Sequence, residues 1–139
     1  MRVLLDTNII LDFFLEREPF FQDASEIFYA IANEQIEGFI TASSVTDIFY
    51  ICRRQTKNIE QARQILTTTL ALLSICPVDR TILEVALNSD ASDFEDAVQI
   101  ACAEAQNLEA IITRNFQDFQ TANIPVMSAN QMMKQLKRN

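Results

Sequence analysis

Short apolar runs alternate with longer amphipathic stretches along the whole chain. The runs are RVLL (2–5), GFIT (38–41), LSICPV (73–78), AIIT (110–113) and PVM (125–127). Within each run the apolar residues are consecutive rather than alternating, the pattern of strands buried on both faces of a parallel sheet. The stretches between them repeat at helical spacing. Residues 20–35 put Phe21, Ala24, Ile27, Phe28, Ile31 and Ala32 on one stripe, and residues 44–56 do the same with Val45, Ile48, Phe49 and Cys52. Residues 8–16, 60–72 and 79–88 read as further helices, as do 93–106, with Phe94, Ala97, Val98, Ala101 and Ala105, and 128–137. Five strands alternating with helices predict an α/β domain with right-handed crossovers. The 139 residues suit a single domain over 1–139.

Polar residues stand directly after most of these runs. Asp6, Thr7 and Asn8 come after the first, and Ala42, Ser43 and Ser44 after the second, with Asp47 one turn on. Thr113, Arg114 and Asn115 close the fourth, and Ser128 the fifth. In open parallel sheets, ligands bind beyond the carboxyl ends of the strands, at the topological switch point. The polar residues gather at that edge.

Absences narrow the chemistry. There is no histidine, which removes His-dependent triads and His-ligated zinc. One glycine, Gly38, leaves no P-loop and no dinucleotide fingerprint. Cys52, Cys76 and Cys102 are odd in number and far apart, so they read as small buried residues. No apolar run approaches the roughly 18 residues of a membrane span. Arg2 is followed by only three apolar residues, which does not read as a signal peptide, so a cytoplasmic protein is expected. The net charge of −8 does not advertise a nucleic-acid surface, though bound divalent cations would change the local sign.

Four acids stand out: Asp6, Asp47, Asp93 and Asp96. Each has a structural role open to it as well as a functional one. Asp6 or Asn8 could cap the first helix, Ser44-x-x-Asp47 resembles a capping box, and Ser92-Asp93-Phe94-Glu95 matches one fully. Asp93 also suits the positive end of a helix dipole. Capping accounts for Asp96 least well, because it falls at about the fourth helical residue and shares a face with Asp93. Carboxylates converging on one cleft repel unless a cation is present. All-oxygen ligands suit Mg²⁺ or Mn²⁺.

LLDTNIILD (4–12), SSVTDIFY (43–50), DFEDAVQIACA (93–103) and ITRNFQDF (112–119) resemble, in order and over nearly the whole chain, the motifs of the PIN-domain family. The resemblance implies an α/β/α sandwich with a mostly parallel sheet and a metal-dependent ribonuclease activity, in bacteria mostly that of VapC-type toxins. It implies catalytic roles for Asp6, for Asp47 where Glu is usual, and for Asp96. It implies Mg²⁺ or Mn²⁺ held by Asp6 and Asp96, with Asn115 at the fourth position and Asp93 and Asp118 in support. Asp47 is one methylene shorter than Glu and Asn115 is a neutral ligand, so a second metal site would be weak without substrate phosphate.

Thr7, Asn8, Ser44 and Thr113 sit beside these acids and could orient them. Arg17, Arg53 and Arg54 are candidate phosphate contacts, with Lys57 nearby and Lys134, Lys137 and Arg138 as a second basic group. Apolar surplus on 8–16 and 44–52 fits a homodimer or an antitoxin segment. The leading expectation is an endoribonuclease acting on RNA, the toxin of a toxin–antitoxin pair. The alternative is a catalytically weak or inactive PIN domain acting as an RNA- or protein-binding module. A dehalogenase-like phosphatase needs Asp where position 8 is Asn. A phosphoacceptor receiver needs a Lys that does not follow AIIT or PVM.

Overall fold

A computed structural model describes residues 1–138. Its centre is a five-stranded sheet in the order β3-β2-β1-β4-β5, with every neighbouring pair parallel. The strands are β1 (Arg2–Leu5), β2 (Glu37–Thr41), β3 (Ser74–Cys76), β4 (Ala110–Ile112) and β5 (Val126–Met127). The helices are α1 (Thr7–Phe14), α2 (Phe21–Ala32), α3 (Ala42–Thr56), α4 (Ile59–Leu72), α5 (Arg80–Leu87), α6 (Phe94–Ala105) and α7 (Ala129–Arg138), with a 3₁₀ turn at Phe116–Phe119.

Strand alternation sends side chains to two cores, which makes the fold an α/β/α sandwich. Val3 and Leu5 join Ile40, Ala110 and Ile112 under α1, α2, α3, α4 and α7. Leu4 points the other way, with Phe39, Cys76 and Ile111, under α5 and α6. All three cysteines are buried and free. Phe13 stacks on Phe28 at 4.2 Å, with Phe14 against its edge. The aromatic surplus expected on the first helix is therefore taken up between α1 and α2, while Tyr50 on α3 stays exposed. No helix among the described residues is long and apolar enough to cross a membrane.

The chain runs β1-β2-β3 toward one edge, then returns to place β4 and β5 on the other side of β1. The switch point thus lies between the ends of β1 and β4. The Asp6 N–H donates to Ile112 O at 3.0 Å, which carries the β1–β4 ladder one residue past β1. The Thr113 N–H donates to Met127 O at 2.9 Å, extending the β4–β5 ladder likewise. Asp6 and Thr113 are fixed side by side at the rim by backbone bonds.

Several helix starts differ from the sequence expectation. The α3 helix begins at Ala42 and its cap is Thr41, whose Oγ1 accepts from the Ser44 N–H at 3.2 Å. Ser44-x-x-Asp47 is therefore not its capping box, because the helix starts two residues before the motif. Asp93, not Ser92, caps α6. The reciprocal box occurs at α7, where the Ser128 hydroxyl accepts from the Gln131 N–H and the Gln131 amide oxygen accepts from the Ser128 N–H.

Gly38 is needed for space rather than for backbone freedom, because it does not take a left-handed conformation. A Cβ there would lie 2.8 Å from Ile31 Cδ1 and 2.9 Å from Leu73 Cδ2. Both are ends of flexible side chains. Gly38→Ala is expected to cost about 1 kcal/mol, the low end for overpacking. Urea unfolding checks this, and a loss above about 3 kcal/mol would mean that neither side chain can give way.

Candidate functional site

A cleft of about 390 Å³ opens at this rim, lined from three places in the chain: Asp6, Thr7, Asn8 and Leu11; Asp47, Ile51 and Arg54; and Asp93, Glu95, Asp96 and Gln99. Asp6, Asp47, Asp93, Glu95 and Asp96 are its acids, and Arg54 is its cation. β1 delivers Asp6, the second turn of α3 carries Asp47, and the start of α6 brings the others.

Asp6 is only 5% exposed. It stands at the start of α1 yet makes no side-chain capping bond, and Asn8 lies inside the helix, so neither is its side-chain cap. The Asp6 carboxylate instead accepts from Thr113 Oγ1 at 2.9 Å and from Gln99 Nε2 at 3.4 Å. Burial raises its pKa, and the charge of Asp118 adds to this. Hydrogen bonds from Thr113, Gln99 and the Thr7 N–H act in the opposite direction. Thr113 is held in turn, because its Oγ1 accepts from the Asn115 N–H at 3.0 Å.

Asp96 is the third residue of α6, inside the first turn and not past it. Its N–H donates to Asp93 Oδ1 at 3.0 Å, so Asp93 is the cap and Asp96 the capped residue. The Asp96 carboxyl remains free to face the cleft. Its pKa is pushed up to about 7, first by loss of water and then by the charges of Asp93, Asp118 and Asp6. Those charges show which acids Asp96 senses. Asp118 belongs to that field, although it lines an adjoining hollow with Arg114, Asn115, Phe116 and Gln117.

Sequence reasoning missed Glu95. It is exposed and lines the cleft together with Asp47. Desolvation first, then the nearby Asp47 carboxyl and the charges of Asp93 and Asp96, push it up to about 7. Gln99 was missed too.

Beneath the acids runs a chain of buried hydroxyls. Thr7 Oγ1 donates to Ser44 Oγ at 2.9 Å, and Ser44 Oγ lies 2.8 Å from Thr41 Oγ1. The Thr7 and Ser44 hydroxyls thus fasten the start of α1 to that of α3.

Arg17 does not reach across the cleft. Its Nη1 donates to Asn8 Oδ1 at 3.5 Å and lies 3.8 Å from Asp12. Arg54 lines the cleft, whereas Arg53 is exposed and lies outside its lining. Lys134 and Arg138 flank β5 around another hollow.

A further ion pair was not anticipated. Asp12 is fully buried, and Arg114 grips it with two bonds, Nε to Oδ2 at 2.8 Å and Nη2 to Oδ1 at 3.2 Å. The Arg114 guanidinium lies 3.9 Å over the Phe20 ring. The segment 113–115 is thereby tied to α1.

No curated protein sequence matches the chain. Among solved structures, one from a toxin–antitoxin complex of Klebsiella pneumoniae is similar, at 26% identity and a TM-score of 0.65, covering 91% of this chain and 97% of that one. A chain of VapBC2 from Rickettsia felis, bound to a DNA fragment from their promoter, shares the fold at 17% identity and a TM-score of 0.68, covering 92% and 98%. So does VapC20 of Mycobacterium tuberculosis, a Sarcin-Ricin loop cleaving toxin, at 12% identity and 0.68, covering 88% and 98%. The PIN-domain family model matches residues 2–117, from β1 through the loop that carries Thr113 and Asn115, and the chain belongs to the PIN domain family.

Proposed function

We propose that this protein is an endoribonuclease that uses Mg²⁺ or Mn²⁺ to hydrolyse RNA phosphodiester bonds, acting in the cytoplasm as the toxin of a toxin–antitoxin pair. The observation that carries the reading is that Asp6 and Asp96, from β1 and α6, line one acidic cleft at the switch point.

The residues fit a hard divalent cation in donor type. The cleft offers carboxylate and amide oxygens and no imidazole or thiolate ligand. Among the described residues no three acids are already gathered tightly enough to close around an ion. Mg²⁺ does not need such a cage, since it keeps several waters and uses one or two carboxylates together with substrate phosphate. When bound, the cation would make water a better nucleophile and offset the charge of the scissile phosphate.

Each residue then has a task. Asp6 and Asp96 hold the cation, with Asp93 beside Asp96, while Asn115 and Asp118 line a separate hollow and Asp118 adds negative field. Thr113 and Gln99 aim the Asp6 carboxylate. Asp47, together with Glu95, forms the opposite wall. Arg54 is placed to meet a phosphate beside the acids. At −8 the molecule repels RNA overall, so substrate binding should itself depend on the cation. The antitoxin assignment follows from similarity to a chain described as part of a toxin–antitoxin complex. Exposed apolar side chains such as Tyr50 and Leu87 leave surface for that partner or for a second copy of the chain.

The test is cleavage of a structured RNA pool by purified protein with Mn²⁺, with Mg²⁺ and with EDTA. Cleavage that needs the divalent ion and disappears in Asp6→Asn is expected. Absence of cleavage with every RNA, while RNA still binds, would replace the nuclease with the binding-module reading.

A further inference from the structure

Gln99 is 2% exposed, on the second turn of α6, within a segment buried on all sides from Ala97 to Ala103. A polar amide in such a place should satisfy both its ends. Gln99 satisfies one. Its Nε2 donates to Asp6 Oδ1 at 3.4 Å, and its Oε1 has no partner among the described residues. The orientation is set by Asp6, because only the NH₂ end can donate to a carboxylate. A buried acceptor left unpaired costs about 1–3 kcal/mol, and such an atom in a folded protein calls for a water or ion to complete it. Gln99 is also part of the acidic cleft lining, one turn beyond Asp96. A leucine or methionine of similar size would fill the same volume without the unpaired oxygen.

We propose that Gln99 is the uncharged member of the cation site. Its Nε2 steadies Asp6, and its Oε1 accepts a hydrogen bond from the hydration shell of the bound ion. The inference rests on the metal-dependent reading of this cleft and adds a residue to it. In this role Gln99 favours the cation-bound state without adding a charge to a cleft already lined by five carboxylates. Groups of this kind, which hold a ligand or its water in place, typically change metal affinity about ten- to a hundredfold when removed.

Two nearly isosteric substitutions separate the roles of the two ends of the amide. Gln99→Met removes both the donor and the acceptor. Gln99→Glu removes the donor and keeps an acceptor oxygen. Mn²⁺ affinity is measured by calorimetry on the full chain, with far-ultraviolet circular dichroism as the check on folding. Gln99→Met is expected to bind Mn²⁺ about ten- to a hundredfold more weakly. Gln99→Glu is expected to bind it at least as tightly as the unaltered protein. Equal losses in the two variants would show that Gln99 acts only through its bond to Asp6, and would overturn the proposal. Unchanged affinity in Gln99→Met would overturn it as well. Should Gln99→Met fail to fold, Gln99→Glu still decides, because a weakened affinity there removes the acceptor role. If the unaltered protein binds no Mn²⁺, the nuclease reading itself fails, an outcome distinct from binding that is indifferent to Gln99.

Discussion

Arg114→Ala is expected to cost about 3–5 kcal/mol of stability, the usual result of removing one partner from a buried ion pair. Asp12 has no access to water. Without Arg114 its carboxylate would keep only Arg17, whose Nη1 is 3.8 Å away. That residue offers charge but not the two parallel bonds that Arg114 makes at 2.8 and 3.2 Å. The stacking on Phe20 would go as well. For a chain of this size the loss corresponds to a fall in Tm of roughly 10–20 °C. Arg114→Lys keeps the charge but not the planar fork, so it should fall between the two. The double substitution Asp12→Leu with Arg114→Met should regain much of the loss, since a buried pair can often be exchanged for apolar packing at little cost. Thermal unfolding of the three variants checks this. A loss below about 1 kcal/mol in Arg114→Ala would mean that water reaches the pair and that it contributes no more than a surface bridge.

The ion pair also marks where the sequence stops being legible. The three central strands were readable because β1, β2 and β4 are buried on two faces, and a continuous apolar run bounded by polar residues rarely arises in any other setting; β3 and β5, at the edges, are only partly buried. Asp6 was readable because a carboxylate directly after such a run must stand at the sheet rim. Asp12 carries the opposite signature, a charge inside the apolar stripe of α1, and its partner lies 102 positions away. No local pattern links the two, although an aspartate within IILDFF is itself a sign that something must neutralise it. Gln99 carried a similar sign, one amide in an otherwise apolar AVQIACA. The misplaced capping boxes have a simpler cause. S-x-x-D and S-x-x-E are short patterns, and both matched one to three residues away from the side chain that takes the role. Thr41 and Asp93 hold those positions because the helices begin where strand β2 ends and where the loop before α6 turns, boundaries set by packing rather than by the motif.

Asp96→Asn should separate stability from activity, losing cleavage while the metal-free protein becomes more stable at pH 8. The Asp96 carboxyl titrates at about 7 in the folded chain against an ordinary 3.8. Between those values the folded state holds a proton that the unfolded state has released. Stability from this group is therefore gained as pH falls through about 7, is complete below 3.8, and is absent at pH 8, where the charge is held against its neighbours. Glu95, also near 7, acts in the same direction. The Tm of the metal-free protein should accordingly climb as pH is lowered from 8 to 5. In Asp96→Asn that climb should shrink, because asparagine is neutral throughout. The same substitution removes one of the two carboxylates proposed to hold the cation. The loss in cleavage rate is expected to be at least about a hundredfold, in line with removing one electrostatic element of a catalytic site. Added Mn²⁺ should raise the Tm of the unaltered protein more at pH 8 than at pH 5, since protons and the cation compete for the same oxygens. Calorimetry across that pH range, beside cleavage assays of both proteins, measures all of these quantities. An Asp96→Asn protein that is less stable at pH 8 yet fully active would show that Asp96 is an ordinary first-turn carboxylate of α6, and the cation would have to be held elsewhere.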